Sequence, residues 1–159
     1  MIFNAKKMDK LIKSITKDSF IKVKNIAYKP IAKVFYATQG DPETEYVKVF
    51  MEGHFALVIS PKDNFMYFGK DKGCISESFP TPDVLFYDNK EYRKSAEDYQ
   101  IVKYVEFGNL LETEGEVAFI DYDGVTNPET LLSVGLVVRT RTRADILADV
   151  IELKDITIL

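Results

Sequence analysis

The chain of 159 residues has one cysteine, one histidine and no tryptophan. A single Cys74 excludes an internal disulfide framework and any zinc site built from several cysteines. A cysteine–histidine nucleophile pair would have to join Cys74 to His54, and nothing in the spacing of these two residues indicates one. Phenylalanine (11 residues) and tyrosine (9 residues) therefore supply the large side chains of any core.

Long hydrophobic runs are also missing. No apolar run approaches the roughly 18 residues that a membrane-spanning helix requires. Residues 1–7 lack the unbroken apolar stretch behind basic residues that marks a secretory signal peptide. The glycines are isolated, and none has the strand–loop–helix context of a phosphate-binding loop. The sequence therefore predicts a soluble, cytoplasmic protein with no transmembrane segment and no cofactor.

What the chain has in abundance is a two-residue alternation of apolar and polar side chains. The stretch 45–68 shows it best, because one parity there carries Val47, Val49, Met51, Phe55, Leu57 and Ile59. A period of two places these side chains on one face of a strand or strand pair. Residues 61–64 are typical of a turn before a return strand. We predict a β-hairpin whose apolar face needs a cover. Residues 52–53 could form a tight hairpin turn or a bend within one long strand, and we favour the bend.

About ten short strands follow from the same pattern, together with one helix near the N-terminus. Asn4 can cap this helix, whose apolar stripe is formed by Met8, Leu11, Ile12 and Ile15. The strands are joined by short turns rather than crossover helices, which favours an antiparallel sheet. We therefore predict a mainly β fold, all-β or α+β. Its antiparallel sheet is closed into a barrel or a two-layer sandwich, with one N-terminal amphipathic helix.

The chain length suits a single β-rich domain spanning residues 1–159. Residues 70–82 are rich in glycine, serine, threonine and proline and show little periodicity. A subdivision at this loop would leave the helix and first strands in residues 1–70 and the remaining strands in residues 83–159.

Charge is unevenly distributed along the chain. Residues 1–33 contain nine lysines against two aspartates, a net charge of +7, whereas the whole chain carries −4 and the remainder therefore −11. The basic segment either docks on the acidic body or meets an anionic partner, and we favour docking. The acidic body argues against nucleic-acid binding, because phosphate contacts supply most of the affinity for nucleic acids.

Two charge ladders are the sharpest pattern in the sequence. The acidic ladder consists of Glu112, Glu114 and Glu116, and the basic ladder consists of Arg139, Arg141 and Arg143. On neighbouring strands the ladders could form cross-strand ion pairs. On separate strands the arginines could bind a phosphate or carboxylate through paired hydrogen bonds. Solvated charged faces are a third interpretation. The three arginines are the candidate anion-binding residues.

Other chemical patterns are weaker. The segment Asp121–Gly124 resembles part of a calcium loop but lacks the closing glutamate, so we interpret it as a strand that ends in a turn. Carboxylates are numerous enough for a hydrolytic acid–base pair, but such a pair is defined by a distance that the sequence does not give. We therefore predict no catalytic residue and no metal site.

The absence of a catalytic constellation leads to a functional hypothesis. Four tyrosines are potentially exposed, and aromatic side chains are favoured at protein interfaces; they are Tyr87, Tyr92, Tyr99 and Tyr104. The leading hypothesis is a non-catalytic module that binds a protein partner or self-associates as a homo-oligomer. Two alternatives remain open: a small-ligand-binding barrel with an anion site at the three arginines, and a small carboxylate-dependent hydrolase.

Overall fold

The computed structural model describes residues 2–38, 40, 43, 46–75, 78–108 and 115–159. Within these ranges the chain forms one α-helix, α1 (Ile2–Ser14), a short 3₁₀ turn at Leu153–Asp155 and thirteen strands. The strands are β1 (Ile21–Val23), β2 (Ile26–Tyr28), β3 (Pro30–Thr38), β4 (Tyr46–Met51), β5 (Phe55–Ser60), β6 (Phe65–Asp71), β7 (Val84–Tyr87), β8 (Lys90–Phe107), β9 (Glu116–Gly124), β10 (Thr130–Val137), β11 (Thr142–Arg143), β12 (Ile146–Val150) and β13 (Ile156–Ile158).

Eight of these strands form a closed antiparallel barrel. Around the barrel the order is β3, β4, β5, β6, β12, β10, β9 and β8, and β8 pairs with β3 to close the ring. The two short strands β7 and β11 extend it beside β8 and β10. The mainly β, antiparallel fold is thus confirmed, and a barrel is the architecture adopted. Strands from both sides of residues 72–83 contribute to this one barrel.

The outer face of β3 to β6 is covered by α1 and by a three-stranded sheet in the order β13, β1, β2. The helix presents its apolar stripe to the barrel, as its spacing predicts. The buried contact joins Met8 and Ile12 of the helix, together with Ile15 just after it, to Val47, Val49, Met51, Leu57 and Ile59 of the barrel. The predicted apolar face of the β4–β5 pair is therefore covered.

No helix in the described residues is long and apolar enough to cross a membrane.

A buried lysine fixes the end of α1. The Nζ atom of Lys33 donates to the carbonyl oxygens of Ile12 and Ile15, at 2.5 and 2.9 Å, and pairs with Glu106 at 2.9 Å. The last carbonyls of a helix have no partner within the helix, and a cation there also complements the helix dipole. This contact ties the end of the helix, which stops at Ser14, to β3.

The interpretation of residues 52–53 as a bend in one strand is wrong. Met51 and Phe55 are paired across a hairpin, and the three residues between them form its loop. Gly53 and His54 have φ angles of 83° and 67°. A three-residue loop advances the chain by four positions, so the two flanking residues keep the same parity. Alternation alone therefore cannot distinguish this turn from a continuous strand.

The opposite outer face of the barrel is covered by the segment that leads into β7. A second cluster there packs Ile75, Phe79, Leu85 and Tyr87 against Ile120, Tyr122, Leu132 and Val134. The Tyr122 hydroxyl contacts the Thr81 hydroxyl and donates to the Pro82 carbonyl at 2.6 Å. The barrel wall is thus covered on two sides.

Candidate functional site

The barrel interior contains a cavity of about 210 Å³. Side chains of one parity on each strand point inward, as the pleat of a strand requires. Most of the lining is apolar or aromatic, and the aromatic members are Tyr36, Tyr46, Phe65, Tyr67 and Phe119. Ligand pockets in proteins are typically concave and mainly apolar, with a few convergent polar groups.

The cavity exists because small residues occupy inward positions on one side of the barrel. Ala96, Ser133, Gly135 and Ala144 all line it. Phe119 stands opposite Gly135 in the β9–β10 register, so a large side chain faces no side chain. A Cβ atom added to Gly135 would lie 2.8 Å from the Ala144 carbonyl oxygen, so close packing of the backbone keeps this position free of a side chain.

Asp121 is one of two carboxylates that line this cavity. It stands directly opposite Ser133 on β10 and opposite Ala96 on β8. Ser133 is hydrogen-bonded to Asp121 and to Tyr67, and both contacts lower the pKa of the partner. A carboxylate only accepts hydrogen bonds, so the serine hydroxyl is the donor toward Asp121. Tyr67 of β6, Ser133 of β10 and Asp121 of β9 therefore form one polar group in the cavity wall.

One oxygen of Asp121 has no partner. Its Oδ1 atom is shielded from solvent and receives no hydrogen bond from any described residue. Burial raises the pKa of Asp121 to about 6; the Ser133 hydrogen bond and the charge of Lys48 lower it, and the nearby Asp123 raises it. Burial also raises the pKa of Tyr46 well above its usual range, reinforced by Tyr36, Tyr67, Asp121 and Asp98.

The interior opens to solvent beside the N-terminal half of β8. Strand β3 ends at Thr38, opposite Gln100, so the preceding residues of β8 have no β3 partner. Ala96 and Asp98 lie in this extension, opposite Asp121 and Phe119, and both are exposed. The Asp98 carboxylate accepts a hydrogen bond from Gln100 Nε2 at 3.3 Å. The opening is therefore flanked by a second carboxylate.

The candidate anion site has a different structure from the one predicted. Arg143 binds Asp145 through two hydrogen bonds, Nε to Oδ1 at 3.1 Å and Nη2 to Oδ2 at 2.6 Å. Its Nη1 donates to the Ser78 carbonyl at 3.2 Å. Asp145 is fully buried and also accepts from the backbone N–H groups of Ile75 and Gly135. Arg143 and Asp145 therefore hold the segment before β7 onto the barrel.

The three arginines do not share one strand face. Residues 138–141 form a turn, after which β11 pairs back on β10. Arg139 is exposed in this turn, and Arg141 has a φ angle of 57° and lines an outer groove. Alternation of arginine and threonine across a turn resembles a strand in sequence. Of the acidic ladder, Glu116 begins β9, whereas Glu112 and Glu114 lie outside the described residues.

The remaining residues considered for catalysis or metal binding do not form a site at the cavity. His54 is exposed in the β4–β5 loop and Cys74 is exposed before β7. The end of Asp121–Gly124 is the end of β9 rather than a metal loop. Within the described part of the chain, no group of three or more histidine, cysteine, aspartate or glutamate side chains could hold a metal ion.

The four tyrosines of the interface hypothesis divide into two kinds. Tyr99 and Tyr104 are exposed, by 59% and 47%. Tyr92 is buried and Tyr87 is half-buried, both within the cluster beneath β7. The predicted exposure of all four is therefore wrong for Tyr92, whose place in β8 points it toward the barrel wall.

Sequence reasoning missed Asp121, Ser133 and Tyr67 as a group. A signal was present, since Asp121 shares its parity with Val117 and Phe119 and thus continues an inward-facing row. Comparison with known proteins adds nothing to the site: no protein-family model, no curated protein and no solved structure matches this chain.

Proposed function

We propose that this protein binds one small organic molecule inside its barrel. Eight-stranded barrels are just wide enough to enclose one small ligand when inward side chains are small. The cavity of about 210 Å³ is somewhat below the roughly 300–1,000 Å³ of pockets for drug-sized ligands, so the ligand is compact. Its aromatic walls would contact a flat or apolar body.

The observation that carries this proposal is the unpartnered Oδ1 atom of Asp121 in the cavity wall. A buried acceptor without a donor destabilises the folded state, and native structures contain few of them. Departures from complete hydrogen bonding in native proteins concentrate at functional sites. A ligand that donates a hydrogen bond would supply the missing partner of Asp121.

A binding experiment can use benzyl alcohol, a compact neutral aromatic molecule, with the full chain. We expect benzyl alcohol to shift the amide resonances of β6, β9 and β10 in a nuclear magnetic resonance titration, with a Kd on the order of 1 mM for so small a ligand. Ala96→Phe places a ring at the opening, so this variant should weaken binding at least fivefold.

The matched control is Glu97→Phe, because neighbouring residues in a strand point to opposite faces. It adds the same ring to the other side of β8 and should leave the affinity unchanged. Shifts confined to the outer surface, or equal binding by both variants, would contradict an interior site.

A second candidate function is self-association, which one further observation favours. Val84 and Phe86 lie on the same face of the short strand β7 and are 37% and 71% exposed. An exposed apolar strand at a sheet edge can pair with another chain. Light scattering on the samples of the titration would show it as a molar mass near twice 18.2 kDa, whereas a monomer mass would argue against it.

A further inference from the structure

Acidic side chains outnumber basic ones around the cavity. Asp63 and Asp121 line it, and Asp98 stands at the opening. Lys48 is the only basic side chain that the structure places in the lining, and its Nζ atom lies 4.7 Å from the centre of the Phe50 ring. Asp63 accepts a hydrogen bond from Ser60 at 3.1 Å, whereas the Oδ1 atom of Asp121 accepts none from the described residues. The site therefore lacks a donor rather than an acceptor.

The aromatic walls add a second attraction for positive charge. Tyr36 and Tyr46 are stacked with ring centres 4.8 Å apart, and Phe119 meets Tyr46 edge-on at 6.4 Å. The face of an aromatic ring carries partial negative charge and attracts an ammonium group, most strongly where water is excluded. Carboxylate and ring faces thus favour the same kind of ligand.

Small ligands with an ammonium, hydroxyl or carboxylate group differ in the hydrogen bonds and the charge that they bring to Asp121. An ammonium group brings up to three donors and a positive charge. An alcohol brings one donor and no charge, and a carboxylate brings only acceptors and is repelled by the aspartate. Charge-assisted hydrogen bonds are about twice as strong as neutral ones.

We propose that the barrel ligand is a small organic amine, bound as its ammonium ion, with the Asp121 carboxylate as its counter-ion and the stacked tyrosines against its apolar body. This inference rests on the proposed function and adds the chemical class of the ligand. Ser133 positions the carboxylate through the hydrogen bond that it donates, and the acidic opening at Asp98 attracts cations toward the interior.

Binding should depend on pH through Asp121, whose pKa is raised to about 6. Lys48 of β4 lowers this pKa and Asp123 of β9 raises it. Asp121 in turn raises the pKa of Tyr46 and Tyr67, Asp98 also acts on Tyr46, and Asp63 lines the same cavity. Above pH 6 the carboxylate is ionised while a simple amine is still protonated. Amine binding should therefore strengthen between pH 5 and pH 7.5.

The test compares benzylamine, benzyl alcohol and benzoate, which share a ring and differ in the charge of one group. At pH 7.5 we expect benzylamine to bind at least tenfold more tightly than benzyl alcohol, and benzoate to bind more weakly than either. In Asp121→Asn this preference for the amine should disappear. The control Asp149→Asn removes an exposed carboxylate from the outer face of β12 and should leave the preference intact.

The outcomes separate the two proposals. If benzyl alcohol binds in the interior but benzylamine binds no better, the barrel holds a ligand and the amine inference is overturned. If the amine preference survives in Asp121→Asn, Asp121 is not the counter-ion and the inference is likewise overturned. If none of the three compounds binds, the proposed function falls as well.

Discussion

Two carboxylates of the same barrel, Asp145 and Asp121, differ in how completely they are hydrogen-bonded. Asp145 is fully buried and accepts two hydrogen bonds from the Arg143 guanidinium, from Nε and Nη2, and two more from backbone N–H groups. Asp121 faces the cavity with one oxygen bound to Ser133 and the other without a donor among the described residues. A carboxylate with a full set of hydrogen-bond donors stabilises the fold and has no acceptor left for a ligand. A carboxylate that lacks a donor can still accept one from a ligand.

The comparison predicts its largest effect at the fully hydrogen-bonded carboxylate. Arg143→Met should lower the free energy of unfolding by about 3–5 kcal/mol, because it leaves the charge of Asp145 buried without its partner. The Ser78 carbonyl also loses its donor, so the segment before β7 should loosen. Urea unfolding monitored by circular dichroism measures the change in free energy.

Arg139→Met is the matched control, since Arg139 is exposed in the adjacent turn. Its effect should stay within about 0.5 kcal/mol, as for most surface substitutions. If Arg143→Met cost no more than Arg139→Met, the Arg143–Asp145 pair would not be the structural element described here, and its arginine would be open to an anionic ligand.

The carboxylate that lacks a donor should respond in the opposite direction. Asp121→Asn should raise the free energy of unfolding at pH 7.5 by about 1–3 kcal/mol, because it removes a carboxylate whose ionised form is disfavoured by burial. The pKa of Asp121 is about 6 in the folded protein against 3.8 for an ordinary aspartate. Between these values the folded state holds more protons than the unfolded state, so wild-type stability falls as pH rises from about 4 to about 6.

Unfolding curves of the wild type and Asp121→Asn at pH 4, 5, 6 and 7.5 isolate this contribution as the difference between the two proteins. The difference should be smallest at pH 4 and complete by pH 7.5, whereas Asp149→Asn should show no such increase. Parallel curves for wild type and Asp121→Asn would mean that Asp121 is solvated in the folded state. A stabilising substitution that abolishes amine binding would be the trade-off expected of a functional residue.

The outer surface of the barrel was the more predictable part of the molecule. Parity assigned Val47 and Leu57 to one face, and the helical spacing of Met8 and Ile12 supplied its cover, because both patterns are local. Barrel closure was not predictable, since it depends on the pairing of β8 with β3 about seventy residues earlier in the chain. From the sequence, a barrel was one of two architectures that would protect the edges of the sheet, the other being a two-layer sandwich.

The site was less predictable because local patterns misled at both carboxylates. The alternating arginines continued across a turn that the chain makes to bring Arg143 back beside β10, and this return is a tertiary event. Asp121 preceded an Asp-Gly pair and suggested a strand end, although its parity matched inward-facing residues. What makes it unusual is burial against β8 and β10, and no property of β9 alone reveals that.

The smallest effect tests the link between Asp121 and its one donor. Ser133→Ala removes the hydroxyl that donates to Asp121, so the pKa of Asp121 should rise above its present value of about 6. The lost hydrogen bond should destabilise the protein by about 0.5–1.5 kcal/mol at pH 7.5. Carbon-detected magnetic resonance of the Asp121 carboxyl during a pH titration measures the midpoint directly.

A second variant retains the hydroxyl and adds one methyl group. Ser133→Thr retains the donor, so its Asp121 midpoint should stay closer to that of the wild type than to that of Ser133→Ala. Amine binding at pH 6.5 should follow the midpoint, because a higher pKa leaves less ionised carboxylate at that pH. If Ser133→Ala left the midpoint unchanged, the hydrogen bond from Ser133 would not control the charge of Asp121, and burial alone would account for its raised pKa.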